Sequence, residues 1–345
     1  MTIGGGRLYG VPVLELTWRP LTRDDVPAWA ALVAEAEAVD CTGEHESADD
    51  LAEQIADESL DLARDTWAAL DGDRLVAVGV VLGASQVWSV DTIYCFGCVR
   101  PDDRRHGVGA QLLGRQLQRA EAMHGERHPR HLARITVPVY DHVPSTVALA
   151  EAAGLEPVRH FFDMERDLRS EAPTPRQPAT PYRVVPFTAD RDDEVRRAHN
   201  IAFRDHFGST ERDPAMWKQW FTGSRNFRTE LSFLVLDEQA EEAVAGYLLG
   251  YFYDADAAAD GYRTAWIGQL GTLPRWRGQG VASVLLTTAL ANYRAASYQQ
   301  AALDVDSANG TGALGLYERI GFRTVRSSTS WVREVPGKVD GKIRP

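Results

Sequence analysis

The chain has 345 residues, 44% hydrophobic and 25% charged, a composition typical of a folded protein with about two domains. No apolar run reaches the ~20 residues of a membrane-spanning helix, and residues 1–10 contain three consecutive glycines where a signal peptide would be apolar. The three cysteines, an odd number, argue against a disulfide framework. These features predict a cytoplasmic protein.

Negative charge is concentrated in the first half of the chain. Residues 1–165 contain 14 arginines, no lysine and 27 acids, whereas residues 182–335 contain 17 basic and 19 acidic side chains. Such an excess repels the phosphates of nucleic acids and anionic membranes, so we expect neither as a partner. Residues 35–65 hold twelve acids and one arginine, which is either a solvated helix face or a funnel for a cationic amine.

A proline-rich segment, residues 169–181, divides the chain near its middle. Its four prolines remove backbone donors and favour an extended linker. We therefore expect a first domain over residues 1–168, a second over residues 182–335, and a polar tail over residues 336–345.

The two halves repeat one order of elements. Each starts with a helical region (24–64 and 190–222), followed by a β-hairpin (67–82 and 233–249) and a further strand. A turn rich in arginine and glycine, an amphipathic helix, a strand, a short helix ending in glycine and a last strand complete each half. The pattern predicts an α/β fold of two tandem domains. Each would have a mixed, mostly antiparallel sheet that its own last strand closes.

Aromatic residues are frequent in the helical region of the second half. Their spacing suits the buried face of helices, and we expect most of them in the core and one or two against a pocket. They are Phe203, Phe207, Trp217, Trp220 and Phe221.

The turn is the most informative motif, because both copies have the same spacing from proline to arginine to glycine. In the first copy the candidate binding residues are Val99, Arg104, Arg105, His106, Gly107, Val108, Gly109 and Ala110. In the second copy they are Leu273, Arg275, Arg277, Gly278, Gln279, Gly280, Val281, Ala282 and Ser283.

Glycine in these turns lets backbone N–H groups converge on a ligand. The N-terminus of the following helix leaves its first N–H groups free and carries a partial positive charge. Arginine adds a charged donor for phosphate. One copy alone is compatible with an ordinary tight turn, but two copies after a strand and before a helix predict a pyrophosphate site. Neither copy contains the lysine of a Walker A motif or the downstream acid of a dinucleotide fingerprint.

At these residues the sequence resembles the GNAT (GCN5-related) N-acetyltransferase superfamily, in particular tandem-domain members such as the mycothiol synthases. The family motif is Arg/Gln-x-x-Gly-x-Gly/Ala, which Arg104 to Gly109 and Arg277 to Ala282 both fit. The resemblance covers both halves of the chain. It implies that the turn amides hold the pyrophosphate of acetyl-CoA, which acts as a cosubstrate.

The resemblance also indicates which half performs the chemistry. In GNAT enzymes a tyrosine on the short helix commonly protonates the leaving thiolate, and Tyr317 occupies that position in the second half. Asn309 occupies the place of a cofactor-contacting asparagine. The first half has Ala150 and His142 in these two places. We therefore expect the second domain to be catalytic and the first to be degenerate, with the ability to bind acetyl-CoA left open.

The general base is not evident from the sequence. Relatives often use a carboxylate near the strand before the turn, but residues 265–272 contain no acid. The candidates from elsewhere are Glu230, Asp304 and Asp306, and water with backbone carbonyls is an alternative for an amine of modest pKa.

The resemblance implies an acetyl-CoA-dependent N-acetyltransferase that transfers directly to a primary amine of a small molecule, as a monomer or homodimer. The alternatives are acetylation of a protein or peptide amine, and a non-catalytic acyl-CoA sensor. Cys95 and Cys98 form a CxxC in a strand-like run, where alternation places them on opposite faces and disfavours a redox pair. His124, His128 and His131 have no carboxylate at ligand spacing, so we expect no metal.

Overall fold

The computed structural model describes residues 15–170, 174–178, 181–204, 206–310, 312–339 and 342–343. The first fourteen residues, and residues 171–173 and 179–180 of the predicted linker, lie outside this part. The first repeat consists of β1 (Thr17–Arg19), α1 (Val26–Asp40), α2 (Ala48–Ile55), α3 (Leu62–Asp65), β2 (Thr66–Asp71), β3 (Arg74–Gly83), β4 (Val90–Val99), α4 (Val108–Arg127), β5 (Leu132–Tyr140), α5 (Pro144–Ala152) and β6 (Glu156–Asp167).

The second repeat has the same order, except that it has two α-helices and not three before the hairpin and one added helix, α8. It consists of β7 (Tyr182–Pro186), α6 (Asp192–Ala202), α7 (Pro214–Trp217), β8 (Phe227–Asp237), β9 (Ala243–Tyr251), α8 (Asp254–Asp260), β10 (Thr264–Thr272), α9 (Val281–Ala295), β11 (Gln300–Asp306), α10 (Ala313–Ile320) and β12 (Arg323–Val335). In the predicted tail, β13 (Lys338–Val339) pairs with β14 (Lys342–Ile343). The order of elements predicted from the sequence is confirmed in both halves.

Helices cover both faces of the sheet. In the first repeat α1 and α2 pack on one face, while α4 packs on the other through side chains such as Leu113 and Leu117. Because both faces are covered, the central strands are almost continuously apolar, as in the buried run from Leu75 to Val81. The second repeat is built alike, with α6 on one face and α9 on the other.

One expected helical pairing is wrong. The sequence spacing suggested that Phe203 and Phe207 share a helix face, but α6 ends at Ala202. Phe203 stacks on His199 with 4.5 Å between ring centroids, whereas Phe207 lies in the following loop. The guanidinium groups of Arg134 and Arg159, both from the first repeat, each lie 5.4 Å from the centroid of the Phe207 ring.

The remaining three aromatics behave as expected. Trp217 and Phe221 are buried in the core, on α7 and on the π-helical turn that follows it. Trp220, between them, is 39% exposed, and it lines a large cavity. The prediction that most of these rings are core and one or two line a pocket is thus confirmed for this segment.

Within the described residues, twelve strands form one continuous sheet in the order β1-β2-β3-β4-β5-β12-β6-β11-β10-β9-β8-β7. Of the strand pairs in this described sheet, only β4–β5 and β10–β11 are parallel. The expectation of a mixed, mostly antiparallel sheet with flanking helices is confirmed.

The two closing strands are exchanged between the repeats, so the expectation that each half is closed by its own last strand is wrong. β12, from the second repeat, pairs with β5 of the first, while β6, from the first repeat, pairs with β11 of the second. β6 and β12 also pair with each other at the centre of the sheet. The reciprocal exchange is the intramolecular equivalent of a domain swap.

The side chains of the exchanged strands pack in the core of the repeat that they join. Trp331 of β12 is buried in a core formed by first-repeat residues such as Ile93 and Leu113. Met164 and Leu168, at the end of the first repeat, are buried among second-repeat residues such as Leu285. Each repeat therefore completes its core with a strand from the other, and we expect the two to unfold together.

Replacement of Trp331 by alanine tests this coupling. We expect a loss of about 3 kcal/mol or more in unfolding free energy, because a large buried ring leaves a cavity. In hydrogen exchange, protection should fall in α4 and β5, which belong to the other repeat by sequence. Val325→Ala, at a 45% exposed position of the same strand, should cost no more than about 0.5 kcal/mol. Protection lost only within residues 182–322 would contradict the coupling.

Candidate active site

The two arginine- and glycine-rich turns have the same backbone. In the second repeat Gly278 and Gly280 have φ of 75° and 83°, and in the first repeat Arg105 and Gly107 have φ of 67° and 79°. A Cβ at either glycine of the second turn, or at Gly107, would meet no atom within 4 Å. The left-handed backbone, and not lack of space, is therefore what favours glycine at these positions.

Each turn leads directly into a helix whose N-cap is glycine, Gly107 for α4 and Gly280 for α9. Glycine has no side chain to accept hydrogen bonds from the first turn of the helix, so those N–H groups stay available for an anion. The amides of Val281, Ala282 and Ser283 surround one cradle, and those of Val108, Gly109 and Ala110 surround the other. This arrangement fits a pyrophosphate.

The arginine of each turn donates hydrogen bonds to oxygens of the chain itself. Arg277 Nε donates to the Thr272 carbonyl at 3.1 Å, and its Nη2 donates to the Ala202 carbonyl at 2.9 Å. Arg104 Nε donates to the Val99 carbonyl at 3.0 Å, and both its terminal nitrogens bind Asp40. Each arginine thus ties its turn to the end of the preceding strand and to the last residue of α6 or α1. Both are positioning residues.

The other predicted turn residues lie near these two arginines. Gln279 accepts a hydrogen bond from the Tyr182 hydroxyl and donates to the Arg275 carbonyl, while the Arg275 guanidinium lies 5.1 Å from the centroid of the Trp276 ring. Val108 and Val281 are buried in the core. Val99 is the last residue of β4, Leu273 directly follows the last residue of β10, and His106 is partly buried.

In both repeats the two parallel strands are paired over a short segment only, and they separate beyond it. β10 and β11 pair only from Thr264–Gln300 to Trp266–Ala302, and β4 and β5 pair only from Val90–Leu132 to Tyr94–Thr136. The free ends of the strands then lead to the turns. In β10 a register shift between Ile267 and Gln269 leaves Gly268 as an extra residue, a β-bulge whose backbone is free of the ladder. β4 pairs with β3 without a shift.

A cavity of about 1150 Å³ lies between the repeats. We call it the chamber. From the first repeat it is lined by the turn and by the separated parts of β4 and β5, and from the second by residues that include Trp220, Trp266 and Asp304. The second turn is not part of this lining. Ala150 lines the chamber where the second repeat has Tyr317, so a methyl group leaves space that a phenol ring fills in the other repeat.

Tyr317 lies on α10, and 7% of it is exposed. Burial, and to a lesser degree the charge of Asp304, raises the pKa of its hydroxyl well above 10, so the hydroxyl stays protonated over the physiological range. Asn309 belongs to the turn between β11 and α10, where its N–H donates to the Asp306 carbonyl at 3.1 Å. In the first repeat His142 Nε2 contacts the Asp40 carbonyl at 2.9 Å.

The three candidate bases differ clearly. Asp306 is buried and is bound by Arg159 at 2.8 Å, and Glu230 is exposed outside the chamber. Asp304 faces the chamber, where water can reach it although protein encloses it. This reduced hydration, together with the neighbouring charge of Asp163, raises the pKa of the Asp304 carboxyl. Of the three, Asp304 alone combines access to the chamber with interaction with Tyr317.

The acidic segment of the first repeat divides into two parts. Asp50 and Glu53 bind Arg225 of the second repeat, with 2.7 Å between the Asp50 carboxylate and the guanidinium. Glu44 and Glu46 line the chamber, where Glu44 accepts a hydrogen bond from the Tyr140 hydroxyl at 2.7 Å. The part of the segment that lines the chamber supports the interpretation as a funnel.

Glu46 makes the chamber sensitive to pH. Poor hydration, followed by the charges of Glu44 and Asp50, raises the pKa of its carboxyl to about 7. A raised carboxyl pKa destabilises the folded state above that pKa, and the penalty disappears below the unfolded value of about 4.3. We expect Glu46→Gln to raise Tm at pH 8 by about 2–4 °C, corresponding to ~1 kcal/mol after allowance for solvent screening.

The same substitution should leave Tm unchanged near pH 4, where the glutamate is neutral in both states. Thermal unfolding at the two pH values measures the difference. Glu58→Gln, at an exposed position of the same acidic segment, is the control and should not shift Tm at either pH. An equal effect of Glu46→Gln at pH 4 and pH 8 would contradict the raised pKa.

Three further features bear on the sequence predictions. Cys95 and Cys98 are unpaired, and burial raises the pKa of each thiol to about 12, which leaves no reactive thiolate. Among the described residues no group of three or more His, Cys, Asp or Glu could hold a metal ion. No helix among them is long and apolar enough to cross a membrane.

Comparison with known proteins identifies a family domain in the second repeat. Residues 193–322 match the model of the Acetyltransferase (GNAT) family. The second repeat is a GNAT acetyltransferase domain. Mycothiol acetyltransferase of Saccharomonospora viridis is 27% identical over 245 residues, which are 68% of this chain and 72% of that protein. The protein of the same name from Mycolicibacterium vanbaalenii is 29% identical over 68% of this chain and 73% of its own length.

Solved structures share the tandem fold of this chain. A GCN5-related N-acetyltransferase from Sphaerobacter thermophilus superposes with a TM-score of 0.71 at 23% identity, over 92% of this chain and 95% of that one. A tandem GNAT protein from the clavulanic acid biosynthesis pathway has a TM-score of 0.69 at 19% identity, over 93% and 98% of the two chains. At these identities the likeness concerns the fold alone.

Several residues of the chamber escaped sequence reasoning. Arg212, Tyr94, Asp163 and Glu46 all line it, but they come from four segments far apart in the chain. The acidity of residues 35–65 was a signal for Glu46, whereas no signal in the sequence pointed to the other three.

Proposed function

We propose that this acyltransferase moves an acetyl group from acetyl-CoA to a primary amine of a small molecule bound in the chamber. The observation that carries the proposal is the position of Asp304. It stands on a strand that separates at the predicted acyl site and faces the chamber, and its charge acts on Tyr317. Asp304 would then be the proton acceptor of the site and Tyr317 the proton donor.

The second turn suits the cofactor of this reaction. The amides of Val281, Ala282 and Ser283, at the positive end of α9, would hold the pyrophosphate, while Arg277 keeps the turn against β10. Asn309, in the loop after β11, would contact the pantetheine arm. When bound, acetyl-CoA supplies a thioester, an activated acyl group with a thiolate leaving group.

The residues of the site account for each proton. Asp304 accepts a proton from the attacking amine, which must lose one to form the amide. The free backbone at the bulge of Gly268 offers an N–H to the carbonyl oxygen as negative charge develops there. Tyr317 donates its proton to the sulfur as the carbon–sulfur bond breaks. The proton gained by Asp304 balances the one lost by Tyr317, and transfer between the two restores the starting state.

The bulge and the tyrosine favour the second repeat as the catalytic one. The first repeat has a complete cradle, but β4 lacks the bulge and Ala150 provides no proton. We therefore propose that the first repeat binds acetyl-CoA without turning it over. Its open strand pair would then contribute mainly to the walls of the chamber.

The test is acetylation of a library of small primary amines, followed by release of free CoA and by mass spectrometry of the products. We expect a subset of amines to gain one acetyl group in proportion to the CoA released. A peptide library should give no product, because the proposed acceptor site is the cavity between the two repeats. Binding of acetyl-CoA with no amine-dependent release of CoA would overturn the proposed function and would favour a sensor.

A further inference from the structure

Arg212 is an unusual residue of the chamber wall. It lies in the loop between α6 and α7, and its backbone is held firmly by α6. Its N–H donates to Asn200 Oδ1 at 2.9 Å, and its carbonyl accepts from Arg196 Nη1 at 2.9 Å and from Asn200 Nδ2 at 3.0 Å. The loop therefore presents the side chain to the chamber from a fixed position.

The guanidinium of Arg212 has neutral neighbours only. Its Nη1 contacts Thr210 Oγ1 at 3.3 Å and Met216 Sδ at 3.2 Å, and the group lies 5.6 Å from the centroid of the Phe221 ring. Its Nε is buried and has no hydrogen-bond partner. Among the described residues no carboxylate forms an ion pair with it, in contrast to Arg104, which Asp40 neutralises.

A buried guanidinium without a counter-charge is costly for a folded protein. Burial lowers the pKa of Arg212, but an arginine stays charged at any physiological pH. The chamber therefore contains a fixed positive charge with unused donors, which is the arrangement that binds an anion.

The opposite charge is present in the same chamber. Glu44, Glu46, Asp163 and Asp304 line it, and Asp163 and Asp304 are direct partners on neighbouring strands, β6 and β11. Arg326 binds Asp163 at 3.2 Å, whereas Asp304 has no cation at ion-pair distance among the described residues. Carboxylates placed this close together favour a cation between them.

We propose that the acceptor is a zwitterion, an amine that also carries a carboxylate, with the carboxylate bound by Arg212 and the amine directed to Asp304. This inference rests on the proposed function and specifies its substrate class. Nη2 of Arg212, which has no hydrogen-bond partner among the described residues, can donate to a carboxylate oxygen. The acidic wall holds the ammonium until Asp304 takes its proton.

The anion at Arg212 is distinct from the pyrophosphate of the cofactor. Arg212 interacts electrostatically with Tyr94, where β4 separates from β5. The first turn starts after Val99, five residues further along the strand, which is a distance of ~17 Å at about 3.3 Å per residue. Arg212 is thus far from the first turn, and the second turn does not line the chamber at all.

Binding of matched probes tests the inference without requiring turnover. The probes are the twenty L-amino acids, 4-aminobutyrate and 6-aminohexanoate, each beside its primary amide, with phosphoethanolamine as a phosphorylated amine. Isothermal titration in the presence of CoA measures their affinities. We expect the best carboxylate to bind about 10–100-fold more tightly than its amide, the range for a charge-assisted hydrogen-bond pair.

The variants identify the residue responsible. Arg212→Gln should reduce the preference for carboxylate over amide to less than threefold, and the unliganded variant should melt at the same or a higher temperature, because an uncompensated charge is removed. Arg197→Gln makes the same change at an exposed position of α6 and should keep both the preference and the melting temperature.

Each contrary outcome overturns the inference. These are amides that bind as tightly as carboxylates, no binding by any probe, tighter binding of phosphoethanolamine than of every carboxylate, and a preference that survives in Arg212→Gln. Failure of the proposed function has a different signature. In that case carboxylate-dependent binding would remain, but none of the bound amines would be acetylated.

Discussion

Replacement of Gly280 by glutamate is expected to abolish acetyl transfer, with a loss in kcat/KM of at least ~10³-fold, or about 4 kcal/mol. Two effects combine at this position. A glutamate at φ of 83° adopts a strained left-handed backbone, and its carboxylate enters the cradle where the amides of α9 would hold a pyrophosphate. Turnover of a reactive amine and the affinity for acetyl-CoA, measured by native mass spectrometry, are the readouts.

A matched variant separates strain from the loss of the cradle. Gly261 ends α8 with φ of 76°, and a Cβ added there, as at Gly280, would meet no atom within 4 Å. Gly261→Glu introduces the same residue under the same backbone strain, but away from both turns. It should cost about 1–2 kcal/mol of stability and leave turnover and cofactor binding intact. Equal loss of activity in the two variants would mean that the second turn is not a binding site.

The first repeat provides a second comparison. If both cradles bind acetyl-CoA, the wild type should carry two cofactors, and Gly107→Glu should remove one of them without stopping turnover. If Gly107→Glu stops turnover while Gly280→Glu does not, the chemistry takes place in the first repeat despite Ala150. The stoichiometry and activity of the two variants therefore assign the roles of the repeats.

The turns were predictable from the sequence because the information is local. A proline that ends a strand, a glycine in the left-handed region and a helix that starts at once all lie within about ten residues. The role of the arginines was not predictable. Arg104 binds Asp40, 64 residues away in the chain, and Arg277 binds the carbonyl of Ala202, 75 residues away. Each contact holds the turn against the end of a helix.

The exchange of the closing strands escaped sequence reasoning for a related reason. β6 and β12 are both half-buried strands, and β5 and β11 each offer a free edge to either of them. Strand pattern alone does not distinguish a strand that joins its own repeat from one that joins the other. The choice depends on which core accepts Trp331 and which accepts Met164, and that is a property of packing over long range.

Arg212 shows how local charge pattern can mislead. Glu211 and Asp213 flank it in the sequence, which suggests a surface residue neutralised by its neighbours. In the structure Asp213 caps α7 by accepting from the Met216 N–H at 2.8 Å, and Glu211 is exposed to solvent. Neither forms an ion pair with the guanidinium, which faces the chamber instead.

The second large expected effect is the loss of turnover when the proposed base, Asp304, or the proposed acid, Tyr317, is replaced. Asp304→Asn should lower kcat by about 10²–10⁴-fold, the usual contribution of a positioned general base, and Tyr317→Phe should lower kcat without changing the affinity for acetyl-CoA. Asp260→Asn and Tyr262→Phe make the same changes outside the chamber and should retain wild-type rates.

The pH profile distinguishes the two roles. Because reduced hydration and the charge of Asp163 raise the pKa of Asp304, wild-type activity should increase with pH as this carboxyl loses its proton, above the usual aspartate range near 3.9. Asp304→Asn should lack that increase, whereas Tyr317→Phe should keep it at a lower rate. Since burial holds the pKa of Tyr317 above 10, its ionisation should cause no decrease below that pH. If Asp304→Asn kept the wild-type profile and rate, another group would remove the proton of the amine.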